Sequence, residues 1–226
     1  MSNVRINYLA RRNPHFTHEE WVRRWRQHWR LAESQPTSRT VRRYIQCEVV
    51  FDREQPAHDG AASSEYYSPE ARHENRADAG YHAIMQRDEL QVFDRLIEEC
   101  SFVAEHTVVS GPGVGPYKIL RYLRCAPEVS ESAFGRMWRD VYAQEIQEAL
   151  PESVGYAQNA ALPGVRNGLG VAGSDEIWFD DRSEAIEAVK SLATGFDPDW
   201  SESLHVAYSV VTSETILKAA DQPGHT

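Results

Sequence analysis

The chain has 226 residues with a formal net charge of −10, and it is 41% hydrophobic and 10% aromatic. That balance supports one large or two small domains with a proper core, and it disfavours nucleic acid or an anionic membrane as partner. No apolar run is long enough to span a bilayer, and MSNVRINYLARR lacks a signal-peptide core. Cys47, Cys100 and Cys125 are odd in number and far apart, so reduced thiols in a cytoplasmic protein are expected.

Residues 4–11, VRINYLAR, alternate as a strand, with Val4, Ile6 and Tyr8 on one face and Arg5, Asn7 and Leu9 on the other. Asn13-Pro14 ends it. Residues 17–32, THEEWVRRWRQHWRLA, then read as a helix. Trp21, Trp25 and Trp29 recur every four residues along one side, and Thr17 with Glu20 forms a capping box. Arg23, Arg24, Arg26 and Arg30 lie mostly off that stripe, whereas His28 shares its buried side. A second strand follows over 41–51, with Tyr44 and Gln46 on one face. Asp59-Gly60 marks a turn and 60–67 a short third strand. Ser68-Pro69 opens a helix expected to run to about 96, with Gly80 as its weak point, and 102–110 reads as a fourth strand.

After the glycine- and proline-rich linker at 110–116 the order repeats. SESAFGRMWRDVYA, 130–143, carries Phe134, Trp138 and Tyr142 at the same spacing. One offset of 113 residues takes Trp21 to Phe134, Trp25 to Trp138, Thr17 to Ser130 and Pro14 to Pro127. Such a gapless match implies a tandem duplication, with repeats at 1–111 and 116–226. On this offset His28 corresponds to Val141, so its slot is expected to be apolar in the second copy. Each repeat reads as βαββαβ, with two helices on one face of a four-stranded antiparallel sheet. The expected fold is therefore α+β: two ferredoxin-like repeats packing their bare sheet faces into a barrel within one chain.

The pattern [S/T]-x-x-x-F/W-x-x-x-W after a strand is carried by Thr17, Trp21 and Trp25, and again by Ser130, Phe134 and Trp138. A tyrosine-bearing strand follows, and Asp88-Glu89 closes a second helix. This arrangement resembles the EthD-domain proteins of the dimeric α/β-barrel superfamily. The chain departs from the family's W-x-x-x-H, placing Trp29 and Tyr142 where the histidine would stand. The resemblance implies cyclase, dehydratase or isomerase chemistry on a small molecule. Cofactor-free oxygenation of phenolic substrates, haem binding and a binding role without turnover are also compatible with it, and no histidine is assigned as an axial ligand.

Among candidate residues His28 stands first as general acid or base, with His82, Tyr8 and Tyr44 as polar neighbours. Trp25, Trp29, Tyr66, Gln46, Arg121 and Tyr142 are the candidate substrate contacts. The blander readings are a carbonyl-bonded core histidine for His28, an exposed helix position for His82, and a shared structural role for Tyr44 and Gln46, which recur as Tyr156 and Gln158. Glu65 and Glu176 read as solvated strand-edge residues. His106 and Tyr8 could face either side of their strands, the pocket or the bare sheet face. GLGVAG at 168–173 matches a dinucleotide fingerprint in letters only, because a strand rather than a helix follows it. His15 and His18 lack an acidic partner at ligand spacing, so no metal is expected. These residues suit a cofactor-independent lyase or isomerase acting on a hydrophobic aromatic or polyketide-like molecule. The pseudo-dimer within one chain leaves room for a further homodimer.

Overall fold

A computed structural model describes residues 3–52, 58–192 and 204–219. Strands β1 (Asn3–Ala10), β2 (Val41–Asp52), β3 (Gly60–Tyr66) and β4 (Ser101–Ser110) come from the first half. Strands β5 (Tyr117–Cys125), β6 (Gly155–Ala161), β7 (Gly173–Phe179) and β8 (Leu204–Lys218) come from the second. All pair antiparallel in one closed barrel, in the order β1-β3-β2-β8-β5-β7-β6-β4. Each half contributes a run in the order fourth, first, third, second. The runs join edge to edge, β2 to β8 and β4 to β6. The sequence suggested two sheets packed by their faces, but continuous hydrogen bonding around the barrel satisfies the edge strands as well.

The barrel wall sorts its residues by the strand period of two. Arg5, Asn7 and Leu9 point inward, while Ile6 and Tyr8 point out under the helices. The interior combines apolar side chains such as Ile45, Phe102, Tyr122 and Val210 with an ionic group. Arg5 donates to Glu65 at 2.9 Å and stands 3.6 Å from Glu176, while Lys118 reaches Glu176 at 2.9 Å and Glu214 at 3.0 Å. Glu65 and Glu176 are thus buried inside the barrel rather than solvated at strand edges. Burial opposes the Lys118 ammonium, but its carboxylate partners hold it protonated well above its ordinary value. Such charges are tolerated only as a paired set, because each alone would cost several kcal/mol, of order 3–5 when one partner is removed.

His106 also faces inward, with Nδ1 3.0 Å from Asn159 Oδ1. Burial, with Arg5 behind it, pushes its imidazole down to about 4. The unfolded chain takes up this proton near pH 6.5, before the folded one does, so protonation favours unfolding. The melting midpoint should therefore fall as pH drops from about 6.5 to about 4. His106→Gln should flatten that window, which differential scanning calorimetry would show.

Outside the barrel, α1 (His18–Glu33) begins at the capping box, with the Glu20 N–H donating to Thr17 Oγ1 and the Thr17 N–H to Glu20 Oε2. Its tryptophan stripe packs on the sheet. Trp21 and Trp25 stack with ring centroids 4.6 Å apart, and both are almost wholly buried. Gly60 is where the strand meets these rings, since a Cβ there would lie 2.6 Å from Trp21 and 2.7 Å from Trp25. The long second helix expected at 69–96 is two helices, α2 (Pro69–Ala77) and α3 (Ala79–Val92). The break falls at Asp78, whose carboxylate caps α3 by accepting from the Tyr81 N–H, and not at Gly80.

In the second half α4 (Glu131–Met137) passes into a π-turn at Trp138–Tyr142 before α5 (Ala143–Ala149), and α6 (Arg182–Ser191) lies later. A π-turn accommodates one extra residue. Beyond Trp138 the correspondence with α1 therefore moves on by one, so Tyr142 takes the place of His28 and Val141 turns out to solvent. Val141 is 49% exposed and Tyr142 is 1% exposed. The apolar-slot expectation for Val141 is thereby corrected.

Candidate active site

A cavity of about 350 Å³ opens between the outer face of β1–β3–β2 and helices α1, α2 and α3. Six of the predicted residues line it: Tyr8, His28, Trp29, Tyr44, Tyr66 and His82. The stripe of α1 supplies one wall, Met85 and Glu89 on α3 face it, and Val165 and Arg166 approach from the second half.

His28 comes to the cavity in a defined pose. Its Nδ1 lies 2.7 Å from Asp88 Oδ2, and its ring meets Phe93 edge-on with centroids 5.6 Å apart. Asp88 also holds Arg24. The His28 hydrogen bond, with Arg24 behind it and modest burial against it, keeps the Asp88 carboxyl down to about 2. Asp88 is thus an anion at neutral pH and accepts from the Nδ1–H tautomer. This leaves Nε2 as the nitrogen able to exchange a proton.

The opposite corner is a pair of phenols. Tyr8 and Tyr44 hydroxyls lie 3.0 Å apart, Trp25 Nε1 donates to Tyr8 at 2.8 Å, and Gln46 Nε2 approaches Tyr44 at 3.4 Å. Two hydroxyl protons are present and only one is used between the two oxygens. Whichever tyrosine donates to the other, one O–H remains for a ligand. Burial raises both phenols, Tyr8 well above its ordinary value and Tyr44 up to about 12, so both are donors and neither is a phenolate base.

Trp25 and Gln46 do not reach the cavity. They stand behind its wall, where Gln46 also donates to the Trp25 carbonyl at 3.1 Å. The bond recurs from Gln158 to the Trp138 carbonyl at 2.9 Å. This supports the structural reading of the recurring Tyr-x-Gln. Trp29 stacks on Tyr44 with centroids 4.1 Å apart. His82 is no exposed helix histidine: its Nε2 is buried without a hydrogen-bond partner.

Arg121 and Tyr142 lie outside the cavity. The 113-residue offset takes Tyr8 to Arg121 and its cross-strand neighbour Ala62 to Asp175. Arg121 stacks over Tyr142 at 5.5 Å, while Asp175 accepts from Trp138 at 2.9 Å and Tyr156 at 2.8 Å. A buried cluster of Arg121, Tyr142, Asp175, Trp138 and Tyr156 thus stands where the first half has its cavity corner.

Sequence reading missed several residues. Asp88 was marked only through the Asp88-Glu89 pattern, and nothing in its spacing linked it to His28 across 60 residues. Glu89 also lines the cavity, and burial raises its carboxyl although the Ile97 N–H donates to it. Arg72 and Arg76 carried no signal, because the break at Asp78 sets which faces of α2 and α3 meet the sheet. Among the described residues no three His, Cys, Asp or Glu side chains converge as a metal site. No helix among them is long and apolar enough to cross a membrane.

No family model and no curated protein matches the sequence. Solved structures match along nearly its whole length. A protein of Fusobacterium nucleatum provisionally named a monooxygenase aligns with a TM-score of 0.58 at 6% identity, covering 98% of this chain and 96% of its own. The chain has the fold of the dimeric α/β barrels. A variant chlorite dismutase of Candidatus Nitrospira defluvii aligns at 0.55 and 10% identity, covering 94% and 91%. An anthrone oxidase-like protein aligns at 0.52 and 11%, covering 100% and 96%. At these identities the likeness to dimeric α/β barrels is one of fold.

Proposed function

We propose that the protein is a cofactor-independent enzyme that removes a proton from an activated carbon of a hydrophobic aromatic or polyketide-like substrate. The outcome is elimination, dehydration, isomerisation or cyclisation. The observation that carries this reading is the His28–Asp88 pair, 2.7 Å apart, in one cavity with the Tyr8–Tyr44 pair. His28 Nε2 takes the proton, and Asp88 stabilises the imidazolium that forms. The electron pair moves to the substrate carbonyl oxygen, which accepts the free tyrosine O–H. The Trp29–Tyr44 stack offers a flat wall for rings. His82 is the second proton carrier, returning a proton at another carbon or to a departing hydroxyl.

A second reading follows the same first step. The name of the anthrone oxidase-like neighbour favours cofactor-free oxygenation, in which the enolate meets dioxygen instead of a proton. Anthrone plus O₂ then yields anthraquinone plus water. The test uses anthrone in D₂O. Accelerated exchange of its benzylic protons under argon, followed by nuclear magnetic resonance, is expected on either reading. Oxygen uptake under air selects the oxygenase. Binding without exchange of any carbon acid would leave an accessory binding protein. A Soret or flavin band in the purified protein would overturn the cofactor-free reading.

The tyrosine pair makes a further prediction. Because either phenol alone still offers a free O–H, Tyr8→Phe or Tyr44→Phe should each cost little turnover. The double substitution should cost about 10²- to 10³-fold in kcat, as for loss of an oxyanion donor. Equal losses in single and double variants would show that one tyrosine alone acts.

We further place the chain with the EthD-domain proteins, as two ferredoxin-like repeats at 1–111 and 116–226 that form a pseudo-dimer in one polypeptide. The matched strand order of the halves and their shared tyrosine–glutamine–tryptophan bonding support this. A cytoplasmic setting, and a homodimer of such pseudo-dimers, are the companion proposals; sedimentation analysis tests the latter.

A further inference from the structure

The mouth of the cavity holds two guanidinium groups that no acid among the described residues engages. Arg72 and Arg76 stand one turn apart on α2, and both line the cavity. Arg72 Nε is buried without a hydrogen-bond partner. Nearby acids are occupied elsewhere. Glu74 pairs with Arg39, Glu98 with Arg166 at 2.9 Å, and Asp88 with Arg24 and His28. Glu89 accepts the Ile97 N–H at 3.0 Å. Burial pushes the Arg72 guanidinium down from its ordinary value, opposed by Tyr66 and reinforced by Arg76. A half-buried cation kept in this position without a counter-ion is costly unless a ligand supplies one.

We propose that the molecule bound in this cavity carries a carboxylate, gripped end-on by the terminal nitrogens of Arg72 with Arg76 as outer support, while its rings lie toward Trp29 and Tyr44. This deepens the reading above and rests on it, since it assumes the same cavity binds substrate. Nε is enclosed in the wall, so the two terminal nitrogens of Arg72 present the planar fork that matches a carboxylate in two parallel bonds. Glu89 and Glu98 on the facing wall limit the negative charge the cavity accepts, which favours a singly charged carboxylate over a phosphate dianion. The substrate class is therefore an aromatic acid. Its carboxylate docks at α2, and the carbon that loses its proton lies toward His28.

The experiment is a tryptophan-fluorescence titration with 2-naphthoate and its neutral counterpart 2-naphthamide. Trp29 in the wall is the reporter. The wild-type protein should bind the acid about 10- to 100-fold more tightly than the amide, the usual worth of a charge-assisted pair. Arg72→Met should bring the two affinities together, and Arg72→Lys should restore part of the difference. If Arg72→Met does not fold, judged by circular dichroism, the exposed Arg76→Met must itself narrow the preference. An unchanged preference there would overturn the proposal. Equal affinities in the wild type would overturn the arginine anchor and leave the cavity as a binding site. Binding of neither probe would overturn both readings.

Discussion

His28→Phe is expected to leave the fold intact and to lower turnover by about 10²- to 10⁴-fold, the usual contribution of a positioned proton transfer. Phenylalanine conserves the flat ring and its edge contact with Phe93, but removes both nitrogens. Arg24 continues to neutralise Asp88 in the variant, so the carboxylate is not left alone. The measurement is the anaerobic exchange rate of the carbon acid at saturating substrate, with melting checked in parallel. His205→Phe, at an exposed position on β8, serves as the control and should leave the rate unchanged. Asp88→Asn is a finer probe. It preserves the packing but offers the imidazole a neutral partner, so the rate should fall with little change in KM. If His28→Phe keeps full turnover, the base lies elsewhere and Glu89, raised by burial in the same cavity, is next in line.

The second large effect is on stability. Trp25→Ala should cost about 3–5 kcal/mol, as expected when a buried tryptophan is truncated. Trp25 is 1% exposed, stacks on Trp21 and packs on the backbone at Gly60, which has no side chain to fill the hole left behind. Its Nε1 also fixes Tyr8, so the same substitution frees the phenol pair. Denaturant melts should show a lower midpoint at similar m. An unmoved midpoint combined with lost binding of another protein would mean that the tryptophan face is an interface and not core.

Much of this architecture was legible without coordinates because it rests on short-range periodicity. The four-residue recurrence of Trp21, Trp25 and Trp29, the Thr17–Glu20 cap, and the alternation of β1 each state a local geometry. The 113-residue offset suggested two like halves from the same local spacing. Of the six cavity residues among the candidates, His28 and Trp29 lie on the helix side that the tryptophan spacing buries, whereas the place of His82 depended on the break at Asp78.

What only the tertiary structure decided are features that depend on a register shift or a partner far along the chain. The π-turn after Trp138 adds one residue and moves Val141 out and Tyr142 in, which no gapless offset can register. Asp78 breaks the helix expected at 69–96, and that break sets where Arg72, His82 and Asp88 come to lie. Glu65 and Glu176 became interior charges because closing the barrel brings Arg5 and Lys118 onto them from other strands. His28 gained its carboxylate partner from 60 residues away. Local spacing determines which face of an element is buried; the charge pairs that make a buried polar group affordable are assembled only when distant elements meet.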